Sequence, residues 1–179
     1  MLPHLDFKAL TTLALDPKAP PRADVALAHE ITAQLPDVAT GLDLTKRFDA
    51  KGWDKFAAAI PSLKDRAKTL TELVSGALFI VAERPLKLDA KAAKLLDASG
   101  RQSNATMLSL LQSIGPPDWK AEILEHAVKA HAETTGAKLG SIAQPLRAAL
   151  TGKAVSSPVF DVLAVLGRDE ALARLKDGS

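Results

Sequence analysis

Apolar residues recur along this chain at helical spacing, and no segment alternates with the period of two that a half-buried strand requires. That pattern confines the fold to the all-α class. Prolines and glycines then cut the helical pattern into lengths. Leu27, Ile31 and Leu35 mark a first helix after Pro20-Pro21. A second is expected from Trp53 to Ile60, stopped by Pro61. Ser62 reads as the next N-cap, with Asp65 as the acidic half of a capping box. Leu63, Ala67, Leu70, Val74, Ala77 and Val81 share one stripe, so the longest helix should run from Ser62 to the low eighties and end before Pro85. Shorter helices are expected from Leu88 to Ala98, closed by Gly100, and from Asn104 to Ile114.

Gly115-Pro116-Pro117 is the sharpest interruption, since no helix should cross it. It divides the chain into two consecutive helical bundles, 1–115 (with a lead-in over 1–50) and 116–179. Beyond it Asp118 should cap a helix carrying Trp119, Ile123, Leu124, Ala127 and Ala130 and ending near Gly136. In the next segment Leu139, Ile142, Ala143, Leu146 and Leu150 line one helical face, while Gln144, Arg147 and Thr151 form a polar stripe on another. Pro145 removes one backbone hydrogen bond, so the helix kinks there or a new one begins. In the second case Arg147 stands in a first turn, where the helix dipole disfavours a cation unless something electronegative lies opposite. Gly152 should end this helix. Ser157-Pro158 supply an N-cap and first-turn proline for a helix buried through Val159, Leu163 and Leu166, and Asp169-Glu170 open the last one after Gly167.

Composition narrows the chemistry. The 179 residues carry 47% hydrophobic and 25% charged side chains, as a folded globular protein does, with a net charge of only +2. Nucleic-acid binding would have to rest on a few placed residues, not on a broad positive surface. The lack of cysteine excludes disulfides, thiolate catalysis and cysteine-ligated zinc. Of the histidines, His4, His29, His126 and His131, the last pair is five apart and does not share a helical face, so no metal site is expected. The start lacks the basic and apolar regions of a signal peptide. The most apolar stretch, Val74 to Ala82, falls far short of the ~20 residues that span a bilayer. A cytoplasmic monomer without membrane contact is the expectation. KLDAKAAKLLDA reads as an ordinary solvated helix.

The residues of the C-terminal part say more. KLGSIAQPLRAALTG (Lys138 to Gly152), followed by SSPVFDVLAVLGRDEALARL (Ser156 to Leu175), resembles the C-terminal end of bacterial glutamyl-tRNA synthetases. That family's anticodon-binding region ends in a Gly-x-x-x-Gln-Pro-Leu-Arg-x-Ala-Leu-Thr-Gly run, then a Ser/Thr-Pro helix start, Leu-Gly-Lys/Arg-Asp/Glu and a closing Ala-x-x-Arg-Leu. The resemblance extends over residues 53–179 and includes PSLKDRAKTLTEL (Pro61 to Leu73). Residues 1–50 match poorly, with only DFKAL like the segment leading out of the family's catalytic half. No His-x-Gly-His and no Lys-Met-Ser-Lys loop occurs in the chain. The resemblance thus implies an anticodon-binding α-helical region without the sites for ATP, magnesium and glutamate: no cofactor on this chain, and no activity by itself.

What the resemblance implies for single residues follows. Arg66 matches the arginine that reads the third anticodon base, a cytosine in glutamate tRNA. Arg147 matches the arginine near the first anticodon base, with Gln144 and Thr151 on its face. Ser156, Ser157 and Pro158 stand at the family's Thr-Pro contact to the loop. Lys153, Arg168 and Arg174 are expected either on phosphate or in solvent, and Trp53 and Trp119 in the core. The implied partner is the anticodon loop of glutamate tRNA, not DNA. The competing reading is a free-standing helical adaptor that kept the fold and binds a protein.

Overall fold

A computed structural model describes residues 50–64, 66–67 and 70–179. They form eight α-helices and two short 3-10 turns, and among the described residues there is no strand. The all-α expectation holds. The helix expected around Leu27, Ile31 and Leu35, the residues His4 and His29, and Asp65 lie outside the described residues. Two compact units divide the chain between Val81 and Ala82.

In the first unit, α1 (Ala50–Lys64) and α2 (Leu70–Ala77) pack together, and a 3-10 turn follows over Leu78–Val81. Pro61 does not stop α1; it lies inside the helix. The apolar residues on either side explain why. Ile60 and Leu63 are buried with Phe56 and Ala59, and that burial outweighs one missing backbone hydrogen bond. Ser62 is no N-cap either, because its hydroxyl donates back to the Ala59 carbonyl at 3.1 Å. The expected long helix from Ser62 is broken where the Leu63 carbonyl accepts both the Arg66 N–H (3.1 Å) and the Ala67 N–H (3.0 Å). Leu63 therefore falls in α1 and Ala77 in α2. Gly76 lets the two helices close, since a Cβ there would stand 2.8 Å from Leu63 Cδ2.

The second unit contains α3 (Ala90–Leu95), α4 (Ala98–Gln112), a 3-10 turn (Pro116–Asp118), α5 (Ala121–Thr135), α6 (Leu139–Thr151), α7 (Val159–Leu166) and α8 (Arg168–Asp177). Helix α6 is its centre, packed against each of the other five helices. Ile142, Leu146 and Leu150 are buried as expected, but so are Pro145, Ala148, Ala149 and Thr151. Over the last two turns of this helix only Arg147 remains partly open to solvent. Pro145 does not divide α6, which is continuous through it. The Asn104 side chain, fully buried on α4, donates to the Pro145 carbonyl (3.2 Å) and to the Gly178 carbonyl (3.1 Å), joining α4, α6 and the end of α8.

Other boundaries shift for local reasons. Asp89 caps α3 and Asp97 caps α4, so the expected helix from Leu88 to Ala98 is shorter and the next begins earlier. Gly100 opens α4 instead of closing its predecessor: a Cβ there would overlap the Leu95 carbonyl. Gly115-Pro116-Pro117 falls inside the second unit, with α4 and α5 packed on each other across it. Asp118 belongs to the 3-10 turn, and α5 starts at Ala121 with no side-chain cap. On α5 the buried face runs through Leu124, Val128 and Ala132, leaving Ile123 and Ala130 exposed. Trp119 is buried as expected, and its indole N–H donates to the Leu163 carbonyl at 2.9 Å.

Candidate nucleic-acid interface

Helix α6 ends as its sequence dictates. Gly152 takes a left-handed φ of 72°, and its N–H closes on the Ala148 carbonyl. The chain then turns through Lys153–Pro158 into α7. Thr151 is only 7% exposed. Its hydroxyl donates to the Arg147 carbonyl (2.8 Å) and accepts the Lys153 N–H (3.2 Å), so it shapes the turn and does not face a ligand. The polar stripe holds in part: Gln144 is exposed, Arg147 half-buried and Thr151 inside.

The start of α7 also differs from expectation by one residue. Pro158, exposed, occupies the cap position itself and no side chain caps the helix. Ser157 is 5% exposed and its hydroxyl makes no hydrogen bond. The Ser156 hydroxyl donates to the Ser157 carbonyl at 2.9 Å. The proline's ring-restricted φ, here −48°, sets the entry of the chain into α7. At the crest, Val155 is 73% exposed, beside an exposed Lys153.

A strap unseen in the sequence braces this turn. The Asp89 N–H donates to the Gly152 carbonyl at 2.9 Å. A Cβ on Gly152 would come within 2.6 Å of the Lys87 carbonyl, so the close approach as well as the φ calls for glycine. The Asp89 carboxylate accepts from Ala92 N–H (2.7 Å) and Lys91 N–H (2.9 Å) at the start of α3, and the Ala154 N–H of the turn also acts on it. The Ala92 N–H does most to hold this carboxyl below the ordinary carboxylate range, aided by Ala154, Lys91 and the lysine's charge, against a desolvation that acts the other way. The signal was present, because an aspartate directly before Ala-Lys-Ala-Ala is a helix-cap pattern.

Arg168 and Arg174, read as cations for phosphate or solvent, cap helices. Arg168 donates to the Ile114 and Gln112 carbonyls, each at 2.9 Å, at the end of α4. Arg174 is 1% exposed and donates to Glu170 (2.6 Å), to the Leu150 carbonyl (2.7 Å) and to the Ala82 carbonyl (3.2 Å). Burial lowers its pKa, and the hydrogen bond and charge of Glu170 raise it again. The unpaired carbonyls of a helix C-terminus attract cations, which is the local cause of both placements.

Six of the seven sequence-selected residues thus lie on α6 and the turn after it. Arg66 is exposed in the turn between α1 and α2, in the first unit. Among the described residues no three His, Cys, Asp or Glu side chains form a group able to hold a metal ion, and His126 and His131 both lie on α5. No helix of the described residues is long and apolar enough to cross a membrane.

A model of the anticodon binding domain matches residues 27–179. The chain belongs to the anticodon-binding domain family. Relatives of this anticodon-binding domain include glutamate–tRNA ligase 1 of Beijerinckia indica subsp. indica and glutamate–tRNA ligase 2 of Brucella ovis. Each is 53% identical over 154 residues, 86% of this chain and 32% of the relative. The domain therefore spans about a third of the length of these curated relatives. Two solved structures share its fold. A glutamate tRNA ligase from Elizabethkingia meningosepticum, in complex with its amino acid, superimposes with a TM-score of 0.65 at 21% identity, over 88% of this chain and 28% of that one. The synthetase from Elizabethkingia anophelis gives 0.63 at 22% identity, with the same coverage.

Proposed function

We propose that this chain is the tRNA-reading part of a glutamate–tRNA ligase, holding the anticodon loop of glutamate tRNA while a catalytic part supplied elsewhere joins glutamate to the tRNA with ATP and magnesium. The observation that carries this is the family match over residues 27–179 together with 53% identity to glutamate–tRNA ligases. In this reading the chain acts as a monomer in the cytoplasm.

The chemistry of the residues supports it. Unstacked anticodon bases present Watson–Crick edges to hydrogen-bonding side chains. Cytosine offers O2 and N3 acceptors to an arginine fork, whereas the same edge of guanine offers N1 and N2 donors and repels it. The exposed Arg66 reads the third anticodon base. Arg147, assisted by Gln144, meets the first, and the Ser156–Pro158 turn contacts the loop; Thr151 acts there through the turn it shapes.

Competition binding at fixed ionic strength tests the function. Glutamate tRNA should displace a labelled glutamate tRNA at lower concentration than an unrelated tRNA of equal length, weakly and with steep salt dependence. Equal competition by both would refute the reading and favour the protein-binding adaptor. The isolated chain should show no glutamate-dependent ATP–pyrophosphate exchange.

A further inference from the structure

The chain's net charge is only +2, yet cations gather where the strap meets the turn. Residues 147–158 contain Arg147 and Lys153 and no acid; the strap contributes Lys87 and one carboxylate, Asp89, with Lys91 following in α3. That carboxylate is already committed to the backbone N–H groups of Lys91 and Ala92. The Asp89–Gly152 hydrogen bond and the close packing of Gly152 on the Lys87 carbonyl fix the two backbones side by side. Lys87 and Lys153 are both exposed, and the 73%-exposed Val155 stands two residues from Lys153.

An exposed apolar side chain among cations suits a strand of RNA, which presents phosphates on one side and the faces of unstacked bases on the other. A protein partner would need acidic groups around an apolar anchor. The RNA is favoured because the same turn already carries Ser156–Pro158 of the proposed anticodon site.

We propose that the strap and turn form one single-stranded-RNA contact, in which Lys87 and Lys153 take successive phosphates and Val155 packs on an unstacked base between them. This rests on the tRNA-reading function and extends it to a strap, Leu86–Asp89, outside the α6–α7 segment.

The test uses the whole chain and an anticodon stem-loop of glutamate tRNA, followed by fluorescence anisotropy at several salt concentrations. Lys87→Ala with Lys153→Ala should reduce the slope of log affinity against log salt by about 1.4, two phosphates at roughly 0.7 each for single strands. Val155→Ala should weaken binding about three- to tenfold with the slope unchanged, as loss of a small apolar contact does. Lys176→Ala, an exposed lysine on α8, should leave the slope unchanged. Melting curves should be the same for all variants, since each side chain is exposed. Wild-type binding that these substitutions do not alter, or a slope reduced as much by Lys176→Ala, overturns this surface and leaves the function standing. No binding by the wild type overturns both.

Discussion

Arg174 of the last helix donates its Nη1 hydrogen to the Leu150 carbonyl across 2.7 Å, and so closes the C-terminus of α6 from a different helix. With 1% of its surface exposed, this guanidinium also holds Glu170 and the Ala82 carbonyl. Removing it takes one of two cations from Glu170 and the guanidinium donor from two carbonyls at once. Arg174→Met should destabilise the second unit by about 2–4 kcal/mol, the range for breaking a buried pair whose partner Arg84 still holds in part. Urea unfolding measures this. Arg174→Lys should recover only a fraction, because one ammonium lacks the three-way fork. A loss below about 0.5 kcal/mol would make the pair no more than a surface bridge.

Gly152 carries two demands, a φ of 72° and a backbone neighbour 2.6 Å from where a Cβ would sit. Gly152→Ala should cost about 1–3 kcal/mol. It should also separate the strap from the turn, so hydrogen exchange at the Asp89 amide should accelerate more than at core amides such as Leu146. Uniform acceleration would mean that the unit loosens as a whole.

Asp89 gives the turn a pH dependence whose sign follows from its lowered pKa. The contribution is fully present above the carboxylate's unfolded pKa and is lost as pH falls through the lower folded value. Neutral pH therefore leaves the turn intact. Acid below about pH 4 should remove the carboxylate's pull on the Ala154 amide before the helices melt. An NMR titration of that amide should report an apparent pKa below that of a free aspartate. In Asp89→Asn, whose amide oxygen still accepts, the titration should vanish while the turn persists.

Arg66→Gln tests base reading in the first unit. Losing a bidentate contact should reduce discrimination between cytosine and guanine at the third anticodon position by about 1–3 kcal/mol, roughly ten- to a hundredfold. Two stem-loops differing only at that base measure it. Equal weakening on both, with the salt slope reduced by about one ion, would assign the arginine to phosphate instead.

Much of this architecture was legible because its cause is local. The stops at Gly136, Gly152 and Gly167 coincide with positive φ, a property of the glycine and not of its surroundings. The burial of Leu146 and Leu163 follows from helical spacing in the same way. Pro61 misled, and no new helix begins at Pro145, because the local penalty is outweighed by packing with residues that only the folded chain brings near. Arg168 and Arg174 misled for a related reason. The carbonyls they cap lie 54 and 56, and 24 and 92, residues away, and a cation's sequence neighbours do not reveal such partners. Asp89 differs, since its cap pattern was readable; reading it inside a helix hid the strap and with it the brace on the turn.

The two tryptophans fall one to each compact unit, Trp53 before Val81 and Trp119 after Ala82. Trp119 holds its indole N–H on the Leu163 carbonyl, so its emission is set by the junction of α5 and α7. Ultraviolet fluorescence therefore has two separable channels without any label. Replacing Trp53 with phenylalanine leaves a single lamp on the second unit. A melt followed by that lamp, beside one followed by ellipticity, tells whether the two units give way together or in succession.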